Sequence, residues 1–174
     1  DLTIRQSLFR KTKIILVDEF SMWGLKLLGH YVGRCNELFN DGVHDNKNDG
    51  EFFGGIPMTI FTGDLKQLQP VLDVAPYTYT AGNATPLQLM GKLAYDSIRH
   101  HFILDESVRQ GQDKHFIEML KEARNGNISE ANYTHWNDRT LIKTGKSFES
   151  MLRNDKALFL TPTNARKDQI LAKY

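Results

Sequence analysis

The sequence predicts an α/β protein with parallel strands, and three observations carry that expectation. Two apolar runs, Lys13 to Val17 and Met58 to Thr62, have strand length and end in acidic or polar groups. A helical pattern separates them, with Leu25, Leu28, Val32, Leu38 and Phe39 spaced mostly by three, four or seven. Strand-like and helical stretches then continue to alternate, which favours a parallel sheet flanked by helices. An apolar run buried in such a sheet delivers its first polar residues at the carboxyl edge, where open α/β sheets bind ligands.

The elements follow in order. Asn40 to Gly50 is rich in Asn, Asp and Gly, which accept turn geometry, and reads as a loop inserted after the first long helix. Phe52-Phe53-Gly54-Gly55 precedes the second strand, its glycines suited to a tight turn and close backbone approach. Thr85-Pro86 has the form of an N-cap and first helical residue, opening a helix to about His100. A short strand is expected at Phe102 to Leu104. Phe116, Met119, Leu120 and Ala123 mark one face of a helix that Asn125-Gly126 stops. Ser129 suits the cap of a short helix, Ala157 to Leu160 a strand, and Asn164 to Lys173 a final helix. No repeat, low-complexity tract or Pro-rich linker interrupts the series.

Composition excludes several classes. With 174 residues, 40% of them hydrophobic and 25% charged, the chain is long enough for about one domain with a buried core. A formal charge of +1 and the lack of any long run of like charges give no broad electrostatic footprint for nucleic acid, and so neither support nor exclude DNA. The single cysteine, Cys35, rules out an internal disulfide framework and fits a packing role. No apolar stretch approaches a membrane span and no signal-peptide pattern opens the chain, so an intracellular protein without a membrane partner is expected. None of the six histidines forms an i, i+4 pair with a neighbouring acid, which argues against a metal site built on them. Tyr133 and Trp136 have the chemistry to stack on a base, but core packing is the preferred account of them.

Chemistry concentrates at the two strand ends. Asp18 and Glu19 follow the first strand as a Walker B pair: an Asp there holds Mg²⁺, generally through water, and an adjacent Glu orients the water that attacks a γ-phosphate. The simpler alternative is a pair of solvated turn or helix-capping carboxylates. The second strand end, Thr-Gly-Asp-Leu-Lys-Gln-Leu-Gln-Pro from Thr62, and the later Ser-Val-Arg-Gln around Arg109 form an ordered series with the first, and the series points to a nucleotide-driven motor.

Val-Asp-Glu-Phe-Ser-Met, Phe-Phe-Gly-Gly-Ile-Pro-Met, Thr-Gly-Asp-Leu-Lys-Gln-Leu-Gln-Pro-Val, Leu-Asp-Glu-Ser-Val-Arg-Gln and Glu-Ala-Arg-Asn-Gly-Asn resemble, in order and spacing, successive motifs of the Pif (petite integration frequency) DNA helicases, superfamily one, class B. Asn132-Tyr133 with Asn137 and Arg139, and then Leu158 to Asn164, are similar to the Pif-like helicases of Helitron transposons. The resemblance spans nearly the whole chain from Lys13. It implies a RecA-like P-loop NTPase motor core, with residues 1–155 forming the later part of the first motor domain and 156–174 the start of the connection to the second. It further implies ATP and Mg²⁺ as cofactors, single-stranded and duplex DNA as partners, a monomeric motor that unwinds five-prime to three-prime, and roles in DNA repair, recombination and telomere maintenance, in the nucleus if the host is eukaryotic.

By the same resemblance Asp18 serves Mg²⁺ together with Glu19, Glu19 is the catalytic base, Gln67 senses the γ-phosphate, Asp64 orients that strand end, and Arg109 is an arginine finger. A planar, permanently charged guanidinium suits that last role, the alternative being an ion pair with Asp105 or Glu106. Three departures bear on activity. Gln69 stands where the family usually has the first of two prolines, Phe20 where it has isoleucine, and Leu65-Lys66 where it has an aromatic or acidic stretch. No Gly-x-x-x-x-Gly-Lys-Ser/Thr precedes Asp18, so the chain is expected to be a fragment, inactive by itself. Thr144-Gly145-Lys146-Ser147 lacks the first glycine and the strand-loop-helix context of that loop. A degenerate, transposon-derived module that binds nucleotide or DNA without catalysis is the competing reading.

Overall fold

The computed structural model describes residues 2–39, 52–79, 82–111, 113–153, 158 and 160–173. The chain forms two compact units, Asp1–Glu106 and Ser107–Tyr174. The expected boundary at 155/156 lies outside the described residues, as does the expected loop from Asn40 to Gly50.

The first unit contains, in order, α1 (Leu2–Phe9), β1 (Ile14–Val17), α2 (Leu25–Phe39), β2 (Met58–Phe61) and α3 (Pro86–Asp96). β1 and β2 pair in parallel, with Ile14 opposite Met58 and Val17 opposite Phe61. The helix-rich α/β character with a parallel sheet is therefore present, although the sheet has two strands among the described residues.

α2 is the centre of the core. Leu25, Leu28, Val32, Cys35 and Phe39 are buried at helical spacing, and burial pushes the Cys35 thiol and the Tyr31 hydroxyl up from their ordinary pKa values. Aromatic rings fill the space between α2 and the sheet. Phe20 lies 4.7 Å from Phe61, Phe53 5.5 Å from Phe61, and Trp23 5.2 Å from Tyr31, centroid to centroid. On its other side α2 meets α3 through the buried Gly91 and Ala94, and α1 through an edge-on Phe9–Phe39 contact at 6.1 Å. Gly54, at φ 69, brings its backbone so near α2 that a Cβ there would stand 2.4 Å from the Cys35 carbonyl oxygen. This is the close approach the Phe-Phe-Gly-Gly segment led one to expect.

Caps behave as their residue types dictate. Thr85 and Gln88 form a reciprocal capping box with Pro86 in the first turn of α3. That helix ends at Asp96, sooner than the expected His100. The second unit opens with α4 (Lys114–Asn125), closed by Gly126 in the left-handed conformation, and α5 (Glu130–Asn137), capped by Ser129. α6 (Leu141–Thr144), α7 (Phe148–Arg153) and α8 (Asn164–Lys173) complete it.

Two strand expectations need correction. Phe102, Ile103 and Leu104 form no strand and are 88%, 90% and 95% exposed. A strand is made by its ladder partners, and among the described residues none lies beside this segment. Of Ala157 to Leu160, residues 157 and 159 lie outside the described residues, while Leu158 and Leu160 are exposed and in no strand. Among the described residues no helix is long and apolar enough to cross a membrane.

Candidate functional site

Parallel pairing puts the carboxyl ends of β1 and β2 side by side, and the chain holds them together past the last formal strand residue. The Thr62 N–H donates to the Val17 carbonyl at 2.8 Å, and the Phe20 N–H donates to the Thr62 carbonyl at 2.9 Å. The second strand end thus clasps the turn that carries Asp18 and Glu19.

Asp18 is exposed, and its Oδ1 accepts two hydrogen bonds, from the Thr62 hydroxyl at 2.6 Å and from the Glu19 N–H at 2.9 Å. The Thr62 hydroxyl, and after it the Glu19 N–H, hold this carboxyl below the ordinary carboxylate pKa. Oδ2 accepts no hydrogen bond among the described residues.

Glu19 has φ 54 and ψ 39, a left-handed conformation that is uncommon for a residue bearing a Cβ. It occupies the cap position of a 3-10 turn, Phe20–Met22, but its carboxylate makes no capping hydrogen bond. The capping alternative weighed for this side chain therefore has no support in the geometry, and the carboxylate projects exposed beside Asp18. Gly63 is what lets the two ends meet. A Cβ there would stand 2.9 Å from the Phe20 nitrogen and 3.1 Å from that of Ser21.

Beyond Gly63, Asp64 folds the chain back on itself. Its Oδ1 accepts from the Lys66 N–H at 3.0 Å and its carbonyl from the Gln67 N–H at 2.9 Å, an Asx-type turn that leaves the Gln67 side chain exposed. Asp18, Glu19, Asp64 and Gln67 all stand at the same edge of the sheet in the first unit. Arg109 belongs to the second unit, in a turn closed by the Gly111 N–H on the Val108 carbonyl; it is exposed and makes no ion pair among the described residues.

The residues at this edge fit a hard divalent cation. Mg²⁺ takes oxygen ligands, keeps several waters, and is commonly held by one or two carboxylates plus substrate phosphates. An ionised Asp18 with one free oxygen is such a donor, and no cluster of three or more His, Cys, Asp or Glu that would make an all-protein cage occurs among the described residues. Thr144-Gly145-Lys146-Ser147 follows a helix rather than a strand, with Gly145 as a left-handed helix stop, which is not the setting of a phosphate loop.

Three contributors were not anticipated from sequence: Thr62 and Gly63, and the packing role of Phe20. Thr62 carried a signal, being the polar residue that ends its run and thus level with Asp18 once the strands are parallel.

No protein-family model and no solved structure matches the chain. Curated proteins do. The chain is 32% identical over 127 residues to the ATP-dependent DNA helicase PIF1 of Candida albicans, covering 69% of this chain and 12% of that protein. It is 30% identical over 123 residues to the ATP-dependent DNA helicase PIF1 of Emericella nidulans, covering 68% of this chain and 14% of that protein. The chain therefore spans a small part of the length of its relatives. Two such matches, together with the ordered motifs at the sheet edge, show that the chain belongs to the Pif family of helicases.

Proposed function

We propose that this chain is the water-activating part of an ATP-dependent DNA helicase motor with a RecA-like core. The observation that carries the reading is the placement of Asp18, Glu19, Asp64 and Gln67 just past the paired carboxyl ends of two parallel strands, in a chain related to PIF1 helicases. Asp18 would hold Mg²⁺, which when bound neutralises charge on the phosphates of ATP. Glu19, an exposed carboxylate beside it, accepts a proton from the attacking water. Asp64 shapes the turn that presents Gln67, whose amide reads the γ-phosphate. Arg109 supplies the positive charge that offsets charge building on the transferring phosphoryl group.

The same reading gives the motor single-stranded and duplex DNA as partners, a monomeric working form, five-prime to three-prime polarity, and a place in superfamily one, class B, close to the Helitron type. Roles in repair, recombination and telomere maintenance, in a nuclear setting, follow from it.

The test is Glu19→Gln in the full-length protein. ATP and DNA binding are retained, because the amide still fills the site, while hydrolysis falls by about 10² to 10⁴, the usual contribution of a positioned base. Wild-type turnover in the variant would return Glu19 to the role of a surface carboxylate. Absence of hydrolysis in the unmodified protein would favour the degenerate, non-catalytic module.

A further inference from the structure

We propose that Thr62 is a positioning residue for the Asp18 carboxylate, fixing which of its oxygens is presented for magnesium; the inference rests on the metal role given to Asp18 above. The three polar groups of Thr62 all engage the turn after β1. Its N–H donates to the Val17 carbonyl at 2.8 Å, its carbonyl accepts from the Phe20 N–H at 2.9 Å, and its hydroxyl donates to Asp18 Oδ1 at 2.6 Å. An ionised carboxylate can only accept, so the hydroxyl proton points at Oδ1, and the distance lies in the range of a charge-assisted bond. With the Glu19 N–H on the same oxygen, Oδ1 is occupied and Oδ2 is left open.

The backbone bonds matter as much as the hydroxyl. Thr62 is itself pinned through its backbone to both sides of the Asp18–Glu19 turn, which fixes where its side chain starts. A β-branched side chain is also stiff at χ1, so little rotamer freedom is lost in holding the bond. Groups that orient a metal-binding side chain from behind typically matter 10- to 100-fold for metal affinity or activity.

The test uses the full-length protein and a fluorescent, non-hydrolysable ATP analogue, titrated with Mg²⁺. In Thr62→Val, which keeps shape and loses the hydroxyl, the Mg²⁺ concentration at half-effect rises by about 10- to 100-fold, while analogue binding without Mg²⁺ is unchanged. Thr62→Ser restores the wild-type midpoint. An unchanged midpoint in Thr62→Val overturns the proposal, as does a loss of analogue binding that is equal with and without Mg²⁺. Failure of Ser to rescue does so too. Asp18→Asn separates the two layers: if it also leaves the midpoint unmoved, the metal role of Asp18 itself is wrong, and if it alone moves the midpoint, only the role of Thr62 is.

Discussion

Phe20 stands where the resembling helicases usually carry isoleucine, and packing gives the exchange a reason. The ring is 6% exposed and lies among Phe61, Trp23 and Tyr95, with centroids at 4.7, 6.2 and 6.1 Å, so the residue after the acidic pair anchors that turn to an aromatic core. A departure from the family pattern thus belongs to the core, not to the acidic edge. Gly63 completes the anchor from the other side. Gly63→Ala would force its Cβ against backbone nitrogens of Phe20 and Ser21, which cannot swing away as a side-chain tip would. We expect a cost of about 1–3 kcal/mol, the range for overpacking, read by urea unfolding of the chain, with faster hydrogen exchange at the Phe20 amide. A variant as stable as the parent, with that amide still protected, would show that the turn has slack. At this scale Asp18, Glu19 and Gln67 were legible as candidates because their types and spacing are local in sequence. Thr62 and Gly63 were not, because what they do depends on a register between strands more than forty residues apart.

The helices were legible to the extent that their ends are written locally. Thr85-Pro86, Asn125-Gly126 and Ser129 cap as expected because each cap is made by residues within a turn of the helix it serves. The start of α2 is different: the Lys26 N–H is taken by Asp73 Oδ2 at 2.8 Å, from a residue 47 positions away, which no local pattern announces. The turn between α4 and α5 gives a testable pH dependence. Glu122 Oε2 accepts from both the N–H and the hydroxyl of Ser129 at 2.9 Å, tying the last turns of α4 to the cap of α5. The Ser129 N–H first, then Asn132, hold the Glu122 carboxyl below its ordinary pKa, with His115 adding a smaller pull. Since the folded value is the depressed one, the contribution is fully present above the unfolded value of about 4.3 and is lost as pH falls through the folded value. Thermal melts of the chain followed by helical circular dichroism should therefore show acid destabilisation in that window, and Glu122→Gln, which cannot titrate, should flatten it. An identical acid limb in the variant would assign the effect to other carboxylates.

On the scale of the whole molecule, the apolar surface left open is the informative feature. Ile14, Leu16, Met58 and Ile60 alternate onto one face of the sheet and are 58%, 63%, 50% and 40% exposed, whereas Ile15 and Phe61, on the other face, pack against the core. Parallel sheets are normally covered on both faces, and strand runs as apolar as Phe102-Ile103-Leu104 normally find a ladder. The first two strands and most of the helices were legible because periodicity is intrinsic to each segment. Which strands pair was not, because pairing is decided by neighbours, and the relatives extend far beyond the aligned region. We therefore predict that residues 102–104 exchange their amide hydrogens freely in the 174-residue chain and slowly in the full-length protein, as added strands pairing with this segment would require. Hydrogen exchange read by mass spectrometry on both forms checks this, and a hydrophobic dye should bind the short chain more strongly for the same reason. Free exchange at 102–104 in both forms would mean that this segment is a linker despite its strand-like composition, and that the sequence signal there reports burial of side chains against some other surface.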